Sequence, residues 1–485
     1  MHRPPGRAPA TRCRPERHGM THPPAAEQRR QLTLDAIRNC LEGVVPATVA
    51  TCSPEGVPNA TYVSQMQYVD ARHVAMSFQF FNKTRQNVLA NPQVTALVID
   101  PVTGACYTLS LLYLRTETAG ALFQSLKAKI AGIASHTGMA GVFKLQGADV
   151  YRVLSVQQVP GRALEAPAPQ RNLLSALRRA STQLAGCTRL DALFDQVLTT
   201  LAAEFGIEHA LLLMADEPRQ RLYTVGSRGY AATGVGSEIA FGDGVIGVAA
   251  QYRTPIRISH MTMEYAYGRA TRAEALARDM ALEAEIPFPG LAEPHSQLAV
   301  PILAGGRLLG VLCVESPNDL RYSYDDEDAL VALCAQLGAM VQALQEEPEA
   351  APEGTGTGLA APRPAAAGAL PLEVKHYGAN DSVFLGGDYL IKGVAGAILW
   401  KLLRTHAAEG RSDFSNRELR MAPELRLPEV TDNLEARLIL LQRRLAERCP
   451  RLAIEKTGRG LFRLRVQGPL TLIEAPSEAV PLRSG

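Results

Sequence analysis

Hydrophobic and polar positions change period several times along this chain, and each change marks an element. After a short apolar-faced segment before Pro46 come β-rich runs at Ala47–Cys52, 60–68 and His73–Phe78, the first two separated by a Pro54-Glu55-Gly56 turn. Lys83–Ala90 reads as a helix stopped by Asn91-Pro92. Strands at 94–100 and 105–113 follow, then a helix over 118–134 with Leu122, Leu126, Ile130 and Ile133 on one face, and a strand at 149–156. From Leu190 the period becomes helical: Leu190, Leu193, Phe194, Val197, Leu198 and Leu201 make one apolar stripe through Phe205. Strands at 209–214 and 222–226 lead to a helix opened by Gly242-Asp243-Gly244, then to a polar, alanine-rich helical segment at 264–285. The runs 297–303 and 308–315 pair across Ala304-Gly305-Gly306 as a hairpin, and a helix over 325–345 follows.

A third pattern begins after residue 371. Strands Ser382–Leu385 and 389–391 turn at Gly386-Gly387, and a helix over 394–406 carries Ile398, Leu399, Trp400, Leu402 and Leu403. Ser415 and Glu418 form a capping box for a short second helix. Asp432 can cap a third helix whose buried stripe is Leu434, Leu438, Leu441 and Leu445. A hairpin of 453–457 and Leu461–Val466 closes around Gly458-Arg459-Gly460.

Two interruptions divide these patterns. Pro160, Gly161, Pro167 and Pro169 cluster between the first and second, and residues 346–371 are a Pro/Gly/Ala linker between the second and third. The organisation expected is an aperiodic, disordered arm at 1–28, domains at 29–159, 172–345 and 372–466, and a tail at 467–485 without strong pattern. The length of 485 residues suits three domains. Composition is ordinary for globular proteins, 46% hydrophobic and 20% charged.

Charge is uneven although the net is only +2: residues 1–30 carry +5, residues 31–371 carry −7 and residues 372–466 carry +5. An acidic middle joined to a basic end suits a sensor coupled to an anion-binding output. The eight cysteines form no CxxC pair and read as core residues of a reducing compartment. No apolar run approaches the roughly 20 residues that cross a bilayer, and the basic N-terminus lacks the apolar stretch of a signal peptide, so a cytoplasmic protein without membrane contact is expected.

The segments PATVATCSPEGVPNATYVSQM and VAMSFQFFNKTRQNVLANPQVTALV resemble the pyridoxamine-phosphate-oxidase-like FMN-binding split barrel. Asn82-Lys83-Thr84-Arg85 lies between a strand and a helix start, where free backbone N–H groups, a hydroxyl and two cations suit a phosphate. The resemblance implies that this turn holds an FMN phosphate through Lys83, Thr84 and Arg85 with Asn87 nearby. It also implies that Ser64 and Gln65 face the isoalloxazine. An empty or haem-binding barrel is the alternative. True oxidases of this family add a C-terminal segment with Trp and Arg; this module has no Trp, so no catalytic residue is assigned. His136, in a His-Thr-Gly-Met segment, reads as a structural loop residue.

FGDGVIGVAAQYRTPIRI, SQLAVPILAGGRLLGVLCVES and YSYDDEDALVALCAQLGAMV, in that order, resemble a GAF domain. The resemblance implies a small-molecule effector between the sheet and a long cover at 258–293. His260 and His295 flank that cover and could ligate haem iron, though a surface role suits each better; no metal site is assigned. Leu330, Leu333, Leu337, Met340 and Leu344, with Leu173, Leu177, Ala180 and Leu184, show heptad spacing that suits a homodimer seam or packing on the domain's own sheet.

NLEARLILLQRRLAERCPRLAIEKTGRGLFRLRV resembles the recognition helix and wing of response-regulator-type winged helices. The resemblance implies DNA contacts from Asn433, Arg437, Gln442, Arg443 and Arg444 on the helix and Lys456, Arg459 and Arg463 on the wing. Ile439 and Leu440 widen the helix's apolar face beyond what a groove needs, which suits a protein-docking role. The fold class expected is a multidomain α+β chain: split β-barrel, GAF α/β sensor fold, winged helix. The function expected is a dimeric, flavin- or ligand-responsive transcription regulator. A flavin-dependent oxidoreductase with regulatory domains and a protein-docking adaptor are the alternatives.

Overall fold

The computed structural model describes residues 32–127, 145–166, 171–258, 286–346, 371–427 and 434–475, apart from positions 42, 44, 64, 79–82, 121, 124 and 426. The first module opens with a 3-10 turn at Asp35–Leu41 that buries Ile37, Cys40 and Leu41. Its strands are β1 (Ala47–Cys52), β2 (Pro58–Val63), β3 (Met66–Asp70), β4 (His73–Phe78), β5 (Gln93–Ile99), β6 (Cys106–Glu117) and β7 (Gly147–Gln158), with helix α1 at Lys83–Ala90. They form one antiparallel sheet in the order β2-β1-β5-β6-β7-β4-β3. The expected strand at 60–68 is in fact two, and β2 and β3 lie at opposite ends of that order. The chain therefore leaves one end of the sheet and enters the other between Val63 and Met66. Alternating burial along β1 and β5 points Val49, Val94, Ala96 and Val98 inward against Val74, Met76, Leu109 and Leu111.

The second module begins with α2 (Leu173–Ala185) and α3 (Leu190–Phe205). Strands β8 (His209–Asp216), β9 (Arg221–Arg228) and β10 (Glu238–Ala240) come next, then α4 (Gly244–Tyr252) and β11 (Ile256–Ile258). The hairpin β12 (Ser296–Ala304) and β13 (Arg307–Ser316) leads to α5 (Tyr324–Glu346). The sheet order is β10-β9-β8-β13-β12-β11. One face is covered by α2, α3 and α5; the other carries α4 and a second apolar cluster around Leu211, Val248, Ile256 and Cys313.

One expectation is corrected here. Over Tyr324–Gln345, α5 is by length and composition apolar enough to cross a membrane. It is a core helix instead, with Leu330, Leu333, Leu337 and Val341 at most 1% exposed. Of the heptad residues, Leu330, Leu333, Leu337, Ala180 and Leu184 are buried in the domain's own core, while Leu173, Leu177, Met340 and Leu344 are partly buried against it. Ser181 Oγ donates to Gln336 Oε1 at 2.7 Å between α2 and α5.

The third module has strands β14 (Leu372–Tyr377), β15 (Ser382–Leu385) and β16 (Asp388–Ile391), then α6 (Gly393–Glu409), β17 (Asp413–Ser415), α7 (Asn416–Arg420) and α8 (Leu434–Arg448). Strands β18 (Leu452–Gly458), β19 (Leu461–Val466) and β20 (Leu470–Ala475) end it. The expected cap on α7 is present: Ser415 Oγ accepts from Glu418 N at 3.2 Å. Two sheets result, β16-β15-β14-β20 and β17-β19-β18. Strand β20 falls in the tail expected to lack pattern, where it runs parallel to β14.

The modules are joined by specific contacts. Tyr324 Oη donates to the Leu41 carbonyl at 3.0 Å, and the Arg38 guanidinium lies between the Tyr68 and Tyr324 rings while Arg257 covers Tyr324 at 4.2 Å. Between the second and third modules the core is continuous: one apolar cluster runs from Leu201 and Val225 to Leu402, Leu440 and Leu445.

Candidate functional site

In the barrel, α1 starts at Lys83 because Asn91-Pro92 stops it eight residues later and its buried residues are Asn87 and Val88. The structure separates the four residues expected to hold a phosphate. Lys83 is exposed at the helix start. Thr84 Oγ1 accepts from Asn59 Nδ2 at 2.8 Å and keeps its own proton to donate. Arg85 is different: its guanidinium grips both oxygens of Asp149, donates to Thr116 Oγ1 at 2.9 Å and lies 3.9 Å above the Phe78 ring. Its side chain is 12% exposed and that of Asp149 is 6% exposed, so Arg85 neutralises a buried carboxylate between β4, β6 and β7. Asn87, 4% exposed, donates to Thr51 Oγ1 at 3.1 Å and fastens α1 to β1. Arg85 and Asn87 are thus structural residues, because burial obliges each to satisfy a neighbour rather than a ligand. Lys83 and Thr84 fit an FMN phosphate; Arg85 and Asn87 do not.

Gln65 is buried beside Gly43, where an added Cβ would lie 2.5 Å from Gln65 Oε1. Gly43, at φ +78°, is therefore held to glycine by both backbone and contact. Ser64 and His136 lie outside the described residues.

On the ligand face of the second module, Glu315 is 3% exposed and receives three neutral donors. They are Tyr230 Oη at 3.0 Å, the Leu291 amide at 2.9 Å and Gln297 Nε2 at 2.5 Å. Gln297 Oε1 is buried with no partner among the described residues. Burial, then the charge of Glu315, raises the Tyr230 phenol far above its usual range. The sequence reading missed this cluster, although a single carboxylate inside the apolar run of β13 is a visible signal. His295 pairs with Asp319 at 3.3 Å on the surface, and His260 lies outside the described residues.

The third module's helix α8 departs most from expectation. Arg437, 4% exposed, pairs with Asp216 of the second module at 3.0 Å and lies over the Tyr223 ring. Arg443 donates to the Val225 carbonyl at 2.6 Å and to Asp195 at 2.7 Å. Arg444, 4% exposed, donates to the Leu390 carbonyl at 2.9 Å, and burial lowers its pKa. Gln442 Nε2 donates to the Ile454 carbonyl at 3.0 Å. None of these four is available to a base edge here, because α8 is buried on both sides: Leu434, Leu441 and Leu445 face their own module, while Arg437 and Leu440 face the second.

On the β18–β19 hairpin, Lys456 pairs with Glu435 at 2.5 Å, Arg463 pairs with Asp413 at 2.7 Å, and Arg459 is exposed at the turn. Asn433 lies outside the described residues. Ile439 and Leu440 are buried in the apolar cluster that the second and third modules of this chain share.

Glycines permit the close approach. A Cβ on Gly226 would lie 2.7 Å from Arg443 Nη1 and 3.1 Å from Leu198 Cδ1. On Gly236, at φ +89°, it would lie 2.7 Å from Ile286 Cδ1 and 3.8 Å from Leu440 Cδ1. Ile286 of the second module and Leu440 of α8 therefore both flank Gly236.

Comparison with known proteins agrees with the first two modules. Residues 33–139 match the pyridoxamine 5'-phosphate oxidase family and residues 189–341 match the GAF domain family. No curated protein matches the chain. Among solved structures, the GAF domain of an Acinetobacter phosphoenolpyruvate-protein phosphotransferase is 21% identical, with 36% of this chain and 96% of that one covered at a TM-score of 0.29. An FMN-binding protein from Syntrophomonas wolfei is 14% identical, with 26% and 86% covered at a TM-score of 0.23. HupZ of Group A Streptococcus is 20% identical, with 27% and 98% covered at a TM-score of 0.22. The chain is a mixed α/β multidomain protein that carries a pyridoxamine-phosphate-oxidase-like split barrel and a GAF domain, a pairing that fits a sensory or flavin-related protein.

Proposed function

We propose that this chain is a cytoplasmic sensory regulator whose C-terminal module is a winged helix held in check by the GAF domain. The observation that carries the reading is the burial of α8 against β8, β9 and α3 through Arg437–Asp216, the Arg443 bond to the Val225 carbonyl and Arg443–Asp195. The order of elements in the third module, a sheet, three helices and a hairpin against β17, supports a winged helix. In such a module the third helix enters the major groove, and here it is covered.

An effector bound on the α4 face of the GAF domain acts on Ile286, and through the contact at Gly236 on Leu440 of α8. Binding there shifts the docked and released populations by its difference in affinity for the two. In the barrel, Lys83 and Thr84 would hold the FMN phosphate; FMN, when bound, supplies a redox centre that can change its charge. The Arg38–Tyr68–Tyr324–Arg257 stack connects the barrel to β11, whose Ile256 and Ile258 pack on the same α4 face, so barrel and effector bias one face.

The test uses duplex DNA and the full-length protein at about 50 mM salt, where phosphate contacts are strong. Asp195→Ala combined with Gly226→Ala weakens the dock from the GAF side and leaves α8 and the wing intact. Fluorescence anisotropy should then show at least tenfold tighter, salt-sensitive binding than for the parent. A released variant that ignores duplex refutes the DNA reading. The absorption spectrum of the purified protein with added FMN tests the barrel, and Lys83→Ala should weaken uptake.

A further inference from the structure

The barrel turn, the GAF face and the α8 interface leave unused a cleft between the second and third modules. It encloses about 800 Å³ between the GAF domain and the wing. One wall is Thr188, Arg189 and Leu190 at the start of α3 with Leu344 and Gln345 at the end of α5. The other wall is α7 with Met421, and the wing turn from Lys456 to Gly460. Asn416 N donates to the Gly460 carbonyl at 2.7 Å, which fixes α7 against that turn.

Among the described residues, five cations line this cleft, Arg189, Arg417, Arg420, Lys456 and Arg459, against one carboxylate, Glu435. Glu435 is already engaged by Lys456 at 2.5 Å, and Arg189 pairs with Asp191 at 2.9 Å. Arg417 and Arg420 stand three residues apart on α7, both exposed, and neither has a carboxylate partner among the described residues. Guanidinium groups grip phosphate oxygens in bidentate pairs. Thr457 and Asn416 add neutral donors. Beside this charge lie Leu344 and Met421, the latter 71% exposed. Cations and an apolar lip together fit a ligand with both a phosphate chain and a flat apolar part.

We propose that this cleft binds a nucleoside polyphosphate, its phosphates on Arg417, Arg420 and Arg459 and its base on Leu344 and Met421. The volume lies within the range of small-molecule sites, about 300–1,000 Å³. A duplex presents a broad convex backbone that would meet only the rim of a cleft walled by two domains, so the nucleic-acid reading of the same cations is not favoured. An acidic peptide would leave the paired guanidiniums without phosphate geometry. The site does not involve the flavin turn; it bridges the second and third modules, so its ligand would hold the two together and oppose the release of α8, and the proposal rests on that docked arrangement.

Equilibrium dialysis of the full-length protein with ATP, inorganic tripolyphosphate and a short duplex decides the matter. ATP should bind, and Arg417→Ala with Arg420→Ala should weaken it at least tenfold. Tripolyphosphate, which has no base, should bind at least tenfold more weakly than ATP. Arg463→Ala, on the wing outside the cleft, should leave ATP affinity unchanged. The proposal is overturned if the double variant binds ATP as the parent does, if tripolyphosphate matches ATP, or if only duplex binds. Circular dichroism and melting temperature of the double variant, expected at parental values, separate loss of the site from loss of fold.

Discussion

Arg85 and Arg437 lie deep enough that each needs a carboxylate within reach, and each has one from a different element: Asp149 on β7 and Asp216 on β8. A guanidinium buried without a partner is costly, so both pairs lock one geometry at the expense of ligand binding. Asp149→Ala should destabilise the barrel by about 3–5 kcal/mol, because it strands the Arg85 charge. Arg85→Met with Asp149→Leu, which removes both charges and keeps the volume, should restore most of that loss in urea unfolding. If the single and double variants lose equally, the pair is not what fixes this corner.

Thiol reactivity reads burial at the same scale. Burial pushes the Cys40 thiol up to about 12 and raises Cys313 and Cys334 further. Folded protein at pH 8 should therefore modify half-exposed Cys52, Cys106 and Cys187 well before those three, with peptide mapping after iodoacetamide as the readout. What the sequence could not give at this scale was the partner of each arginine. A cation beside a helix start looks the same whether it awaits a phosphate or neutralises an aspartate 64 residues away.

Elements defined by local pattern were legible, and those defined by distant pairing were not. Lys83–Ala90 and Leu190–Phe205 match the sequence reading end for end, since a proline stop and a strong apolar stripe bound them. Strands β14 and β20 went unread because each is completed by the other, nearly 100 residues apart, in a parallel pair with no turn to announce it. The strand expected at 60–68 failed for a related reason: its alternation continues, but its halves pair with β1 and β4, far apart in the sheet. Removing residues 467–485 should therefore matter more than a tail would. It deletes the packing of Leu470 and Leu472 on the core and leaves β14 as an edge. The expected loss is about 2 kcal/mol or more from those two leucines, measured as a lower urea midpoint by the Trp400 emission, which reports on the third module alone. An unchanged midpoint would mean that β20 contributes nothing to that fold.

At the scale of the molecule, the boundary between the GAF domain and the third module is not where the linker suggested. Residues 346–371 separate the two in sequence, yet their apolar cores merge through α8, and two buried or half-buried arginines cross the interface. The barrel's core is separate, joined to α5 and β11 mainly by the stack around Tyr324. Cooperative units follow shared core rather than sequence spacing. Heating should then resolve two transitions, one for the barrel and one in which the GAF domain and the third module unfold together. Deleting residues 371–485 would uncover the apolar surface of β9 and α3 and take the Arg437 and Arg443 partners from Asp216 and Asp195, so the remaining GAF transition should move down by several degrees. Tyr324→Phe, which removes only the bond to the Leu41 carbonyl, should shift the barrel transition slightly and leave the larger one in place. Three transitions, or a GAF domain indifferent to the deletion, would mean that α8 rests on its neighbour without stabilising it, and the restraint proposed for the output module would lose its physical basis.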